Sequence, residues 1–250
     1  MKIVEICLPI KDEAKIIKEK TRALAGVLRG LKINVFWILT GVVNGSSDQS
    51  FNVFQNAVSS LPYQNKCFNL SKKGKAHAIK TCWQQSEADI LVFMDIDLAV
   101  PPIFLRQLLL PIINDEADLV IGSRFLPDSQ TSRSWRRDVI SRFYIFIAKL
   151  ILKHGFTDLQ CGFKAIRRSS YQKLEKFLKD DSWFLDSELL VFAKAFDLKV
   201  LEIPVIWHER DKQGKKSNIK IIRDSFNFIF NLFRLRARKN RLVRHIKTPL

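Results

Sequence analysis

Apolar positions along this 250-residue chain change their period repeatedly, and each change marks an element. Short apolar runs recur at residues 3–8, 34–39, 67–70, 90–94 and 117–121. Their length and aliphatic content are those of strands buried in a sheet. Between them, apolar residues three and four apart predict amphipathic helices over 13–29, 51–59, about 72–86 and 103–114. Pro9 closes the first strand and Gly30 stops the first helix. Strand and helix in alternation predict an α/β fold with a doubly wound, mainly parallel sheet. Beyond residue 126 the pattern changes. A polar connection over 126–137 carries Arg133, Arg136 and Arg137 and leads into a helix over 138–153 with an aromatic surface that includes Phe143, Tyr144 and Phe146. Core packing is the favoured role for that helix, ahead of a membrane-facing one. Another helix starts within 183–190, and 199–207 reads as a strand whose Pro204 marks an edge.

Open α/β sheets bind ligands at the carboxyl ends of their strands. Asp95 and Asp97 stand at that end of the run over 90–94, and paired carboxylates there can take a hard divalent cation that holds phosphate oxygens. An isolated Asp-x-Asp is more often a solvated turn. Its neighbours change the balance: Glu13, Asn44, Asp48 and Arg124 end the other strands at the same edge. That combination favours a nucleotide-type ligand with a metal. The Gly/Asn/Ser loop over 40–48 offers backbone N–H groups to an anion. Lys72, Lys73 and Lys75 open a helix, where side-chain charge adds to the helix dipole.

Charge extends this picture. Lys and Arg number 42 against 25 Asp and Glu, a net +17, which predicts an anionic partner. Twelve of those cations fall from Lys212 onward against Asp224 alone, interleaved with Phe226, Phe228, Phe230, Leu232, Phe233 and Leu235. The mixture predicts a basic amphipathic helix over 219–250 lying on an anionic membrane surface, with a core-packed terminal helix as the second reading, after a catalytic unit over 1–218. It argues against nucleic acid, because the cations alternate with aliphatic residues rather than isolated stacking aromatics. Four separated cysteines read as reduced thiols. No apolar run approaches the roughly 20 residues of a bilayer span, and the first residues lack the features of a signal peptide. The expectation is a cytoplasmic protein, peripheral on the membrane.

The motifs Pro9-x-x-Asp12-Glu13, Asn44-Gly45-Ser46-Ser47-Asp48, Lys73-Gly74-Lys75, Asp95-Ile96-Asp97, Gly122-Ser123-Arg124, Arg137-x-x-x-Ser141, 158–164, 185–190 and 202–207 occur in that order. The set resembles family-two glycosyltransferases of the GT-A fold, in the polyprenyl-phosphate (dolichyl-phosphate) glucosyl- and mannosyltransferase group. The Gln160-Cys161-Gly162-Phe163-Lys164 segment leans toward the glucosyl side. The resemblance implies a hexose moved from a nucleotide sugar, UDP-glucose or GDP-mannose, to a polyprenyl phosphate, with inversion at the anomeric carbon. Asp95 and Asp97 would hold Mg²⁺ or Mn²⁺. Ala99 stands where mannosyltransferase relatives carry a third ligand, with His208 a substitute. Pro9, Glu13, Asn44, Asp48, Lys75, Gln160 and Ser217 fall in the substrate-binding motifs. Arg124, Arg137, Lys164 and Arg210 are the cations for the acceptor phosphate. Asp186 or Glu188 would serve as base were the acceptor instead a hydroxyl, as on a glycan or diacylglycerol.

Overall fold

β1 (Lys2–Ile10) and β4 (Ile90–Met94) lie in the middle of the sheet because their buried side chains, Glu5 apart, are apolar toward both faces. The computed structural model describes residues 1–132, 135–208 and 221–247, with side chains over 1–132, 138–208 and 230–244. Between the two strands run α1 (Ala14–Gly30), β2 (Val35–Asn44), α2 (Ser50–Ser59), β3 (Gln64–Leu70) and α3 (Lys75–Gln84). After β4 come α4 (Leu105–Ile113), β5 (Leu119–Ser123), β6 (Gln130–Ser132), α5 (Trp135–Leu152), β7 (Phe163–Arg167) and α6 (Arg168–Leu174). The chain then forms α7 (Leu185–Ala195), β8 (Val200–Pro204), β9 (Ile206–His208) and α8 (Ile221–Lys247).

Seven strands pair in the order β3-β2-β1-β4-β7-β5-β8, all parallel except β7, which runs against both neighbours. Helices cover both faces. Val4, Ile6 and Leu8 meet Leu24 of α1, Phe54 of α2 and Leu108 of α4 on one side. Cys7, Leu91 and Phe93 meet Ile79 of α3, Leu189 of α7 and Leu232 of α8 on the other. Each fully buried aliphatic or Phe side chain contributes roughly 1.5–3 kcal/mol before entropy is set against it, so these two layers dominate the fold.

Four expectations are corrected. β2 runs on through Gly41 to Asn44 instead of ending at residue 39. Any Cβ at Gly41 would strike the Phe54 ring, so the glycine lets α2 lie on the strand and does not end it. β1 passes through Pro9 because β4 pairs only with Val4 to Cys7, and the missing N–H falls beyond that ladder. β7 was hidden by Lys164, a cation inside the alternation Phe163, Ala165. Finally, the strand expected over 199–207 divides at Val205, and β9 leaves the main sheet to pair with β6.

α8 packs on α5 and α7. Leu232 and Leu235 are buried, while Phe230 and Phe233 face outward. The C-terminal helix is therefore core along one stripe. Among the described residues no helix is long and apolar enough to cross a membrane.

Candidate active site

The carboxyl ends of β1, β2 and β3 are tied together before any ligand enters. Asn44, buried at the end of β2, donates from Nδ2 to the Ile10 carbonyl at 2.9 Å and accepts from the Gly74 N–H at 3.2 Å. Asp12 accepts from Ser47 N–H at 2.7 Å, and Asp48 accepts from Ala14 N–H and from Ser50 N–H, both at 3.0 Å. Asp48 thus fastens the starts of α1 and α2, and the Gly45 N–H is taken by the Leu70 carbonyl at 2.7 Å. The N–H groups of Gly45 and Ser47 are satisfied within the protein, so these two positions of the loop over 40–48 serve a turn and are not open to an anion. The start of α3 is covered in the same way: Ala76 and His77 N–H groups donate to the carbonyls of Ser182 and Asp181 at 2.9 and 3.0 Å.

Inside this frame the Asp95–Asp97 turn closes on itself, with Leu98 N–H donating to Asp95 O at 3.0 Å. Leu98 sits at φ 56° and Asp12 at φ 54°, left-handed conformations that cost a non-glycine residue of order 1 kcal/mol and gather where a site over-determines the backbone. Asp95 Oδ1 pairs with Lys75 Nζ at 2.5 Å. A Cβ at Gly162 would collide with Asp95 Oδ2 and approach Lys75 Nζ to 2.9 Å, so only glycine leaves this ion pair its space. Asp97 Oδ1 accepts from the Ala99 N–H at 3.1 Å. Burial pushes the Asp97 carboxyl above its ordinary range, and the charges of Asp95 and Glu13 push the same way. Lys75 is held above its usual value: burial opposes the charge, but Asp95, Asp186 and Asp97 together outweigh it.

Two of the other predicted cations, Arg124 and Lys164, are already neutralised. Arg124 grips the fully buried Asp158 through Nε at 2.7 Å and Nη2 at 3.0 Å. Burial alone would raise the Asp158 carboxyl, yet the guanidinium and its hydrogen bonds keep it below the usual range. Lys164 is 0% exposed and gives its ammonium to Asp186 Oδ1 and Cys161 O, both at 2.5 Å. Glu188, buried, accepts from the Lys179 and Asp180 N–H groups at 2.8 and 3.0 Å and from Arg238. Arg124 and Lys164 are thus spoken for as phosphate ligands, and Glu188 as a base. The pairings, Arg124 with Asp158 above all, leave no local signature in the sequence because they span 22 to 50 residues.

Pro9 is internal to β1, and Gln160 lies half-buried beside Asp158, whose Oδ1 takes its N–H at 2.9 Å. The His208 ring nitrogen Nδ1 lies 3.4 Å from Ser132 Oγ, while the backbone N–H of His208 donates to the Ala99 carbonyl at 2.8 Å. Among the described residues no group of three or more His, Cys, Asp or Glu side chains gathers to hold a metal. The chain's own contribution there is the Asp95–Asp97 pair. Arg210 and Ser217 lie outside the described residues, as does the side chain of Arg137. A larger cavity of about 180 Å³ lies away from this edge, lined by Leu152, His154, Val191, Lys194 and Lys239.

Comparison with known proteins agrees with this geometry. A family model described as glycosyl transferase family 2 matches residues 6–175. The glycosyltransferase AglD of Haloferax volcanii is 28% identical over 222 residues, covering 88% of this chain and 35% of that protein. A dolichyl-phosphate beta-glucosyltransferase of Dictyostelium discoideum is 27% identical over 253 residues, 93% of this chain and 74% of the relative. The dolichol-phosphate mannosyltransferase of Pyrococcus furiosus is 25% identical, over 96% of this chain and 66% of that one. The chain therefore spans about a third of the length of AglD, about three quarters of the Dictyostelium relative and just under two thirds of the Pyrococcus one. Among solved structures, glucosyl-3-phosphoglycerate synthase of Mycobacterium tuberculosis superposes with a TM-score of 0.65 at 15% identity, over 95% of this chain and 80% of that one, a likeness of fold.

Proposed function

Because the chain belongs to glycosyl transferase family 2, we propose that it transfers a hexose from a nucleotide sugar to a polyprenyl phosphate at a membrane surface. The observation that carries this reading is the Asp95–Asp97 pair at the end of the central strand, crowded by Glu13 and framed by Lys75 and Gly162. UDP-glucose is the preferred donor and GDP-mannose the alternative, since relatives are named as dolichyl-phosphate glucosyl- and mannosyltransferases.

The residues suit a divalent cation, Mg²⁺ or Mn²⁺. Burial and the charges of Asp95 and Glu13 make the ionised form of Asp97 costly, and a positive charge beside it would relieve that cost. Two of them, Asp95 and Asp97, would hold the ion, with diphosphate oxygens as its natural further ligands. When bound, such an ion offsets the charge that grows on the leaving diphosphate. Lys75 keeps Asp95 in one orientation and adds a positive charge beside it. The Asp97 carboxylate is steadied by the Ala99 N–H.

Acceptor chemistry follows from what is unavailable. A hydroxyl acceptor needs a base, but Asp186 and Glu188 are both committed to buried ion pairs. A lipid phosphate is already anionic and attacks without one. Attack from the face opposite the leaving group inverts the anomeric carbon and gives a β-linked product from an α-linked donor.

The test is product formation from UDP-glucose or GDP-mannose and a polyprenyl phosphate with Mn²⁺. Asp97→Asn keeps the size of the side chain and is expected to lower kcat about a hundredfold or more. Wild-type turnover in that variant, or transfer to a diacylglycerol in preference to the phosphate, would refute the assignment.

A further inference from the structure

The segment over 179–184, which leads into α7, is fastened along its length. Its first two N–H groups go to Glu188, and Asp180 Oδ1 accepts from Ser182 and Phe184 N–H at 2.7 and 2.8 Å. Asp181 pairs with Lys72 at 2.5 Å and Lys80 at 2.6 Å. Gly74, at φ 150°, lets the segment lie directly on the start of α3, because any Cβ there would collide with the Asp181 carbonyl. Phe184 is turned into the core while its neighbour Trp183 stays 65% exposed. Leaving so large an apolar surface in water forgoes stability that an inward-facing rotamer or a polar residue would not.

The position of that indole is specific. Its ring centroid lies 5.6 Å from Lys75 Nζ, and the same ammonium is 2.5 Å from Asp95 Oδ1. The ammonium stands over the indole, so these distances bring indole and carboxylate within reach of a single sugar ring bound alongside Lys75. A rigid aromatic face stacks on the C–H face of a pyranose, and a bound sugar would cover the surface now in water.

We propose that Trp183 is the stacking platform for the hexose of the donor, fixing the sugar beside the diphosphate held at Asp95 and Asp97. The proposal rests on the nucleotide-sugar reading above and adds the residue that recognises the sugar. Holding the ring from one side limits its rotation about the anomeric bond and keeps the anomeric carbon open to the acceptor.

Calorimetry with Mn²⁺ tests it, using UDP against UDP-glucose and GDP against GDP-mannose as ligand pairs, on the wild type, Trp183→Ala and Trp183→Phe. The nucleoside diphosphate is expected to bind all three proteins equally. The tighter binding gained from the sugar is expected to fall by about tenfold in Trp183→Ala and to return in Trp183→Phe. If diphosphates and sugars bind but the gain from the sugar is the same in Trp183→Ala, the platform is overturned while the donor site stands. Equal weakening of diphosphate and sugar nucleotide would also overturn it, by making Trp183 a support for Lys75. If no member of either pair binds the wild type, the donor reading itself fails, and the platform with it.

Discussion

Lys164 is the residue whose chemistry differs most from its reading as an acceptor cation. A lysine with no exposed surface, bound to Asp186 at 2.5 Å, belongs to the packing between β7 and α7. Removing one partner of a buried pair leaves the other charge uncompensated, which costs about 3–5 kcal/mol. Lys164→Met is therefore expected to lose that much stability in urea denaturation. Lys164→Met with Asp186→Leu should recover most of it, because the unpaired carboxylate is gone. A single variant within about 1 kcal/mol of wild type would mean the pair is not structural. Sequence shows which charged residues follow the strands but not which of them are already paired. Asp95 and Asp97 were legible because two acids directly after a five-residue apolar run can only stand at a strand end. Arg124 and Lys164 looked alike on paper to Lys75, yet Asp158 and Asp186 reach the first two from distant segments.

Among the elements, those with a clean period were legible and those with a compromise in them were not. α1 and β4 have one apolar stripe and one unbroken run, and both fall within a few residues of where periodicity puts them. β7 carries a buried cation, and β2 carries a glycine placed for α2, so the usual rules ended or omitted them. The junction of α5, α7 and α8 has a compromise of its own. His154 is 8% exposed, and its Nδ1 accepts from the Phe156 N–H at 3.2 Å. Burial and the charges of Lys149, Lys194 and Lys239 hold it down to about 4. The native state thus binds fewer protons than the unfolded chain between about 4 and 6.5, so stability is whole above 6.5 and declines as pH falls toward 4. Between pH 7 and pH 5 the wild type should lose about 2 kcal/mol more than His154→Phe, by denaturation at each pH. Parallel losses in both proteins would show that His154 does not titrate out of this junction.

For the whole molecule, the sheet edge and the surface helices meet. Exposed Phe143, Phe146 and Leu150 make one stripe of α5, and exposed Phe230 and Phe233 continue the apolar surface on α8, which packs against it. The same helix touches the site: the Arg142 guanidinium lies 5.1 Å from the Phe125 ring, just past β5, and Tyr144 Oη is 3.3 Å from Ser187 Oγ, beside Asp186. Apolar side chains left in water over two adjoining helices mark a surface meant to be covered. With Arg234, Arg236, Arg241 and Arg244 on α8, we propose anionic lipid as the covering, since it would satisfy both the aromatic and the charged groups. An enzyme docked in this way would meet a lipid phosphate at the headgroup level, next to the carboxylate pair, without lifting its isoprenoid chain from the bilayer. Changing Phe143, Phe146 and Phe233 together to Ser should lower partition onto vesicles containing phosphatidylglycerol by more than about tenfold, since each buried ring is worth at least 1 kcal/mol. Transfer to a long polyprenyl phosphate in those vesicles should fall with it, while transfer to a short, water-soluble prenyl phosphate is retained. Unchanged partition, or equal loss with both acceptors, would remove α5 and α8 from the membrane contact and leave their exposed aromatics to another partner.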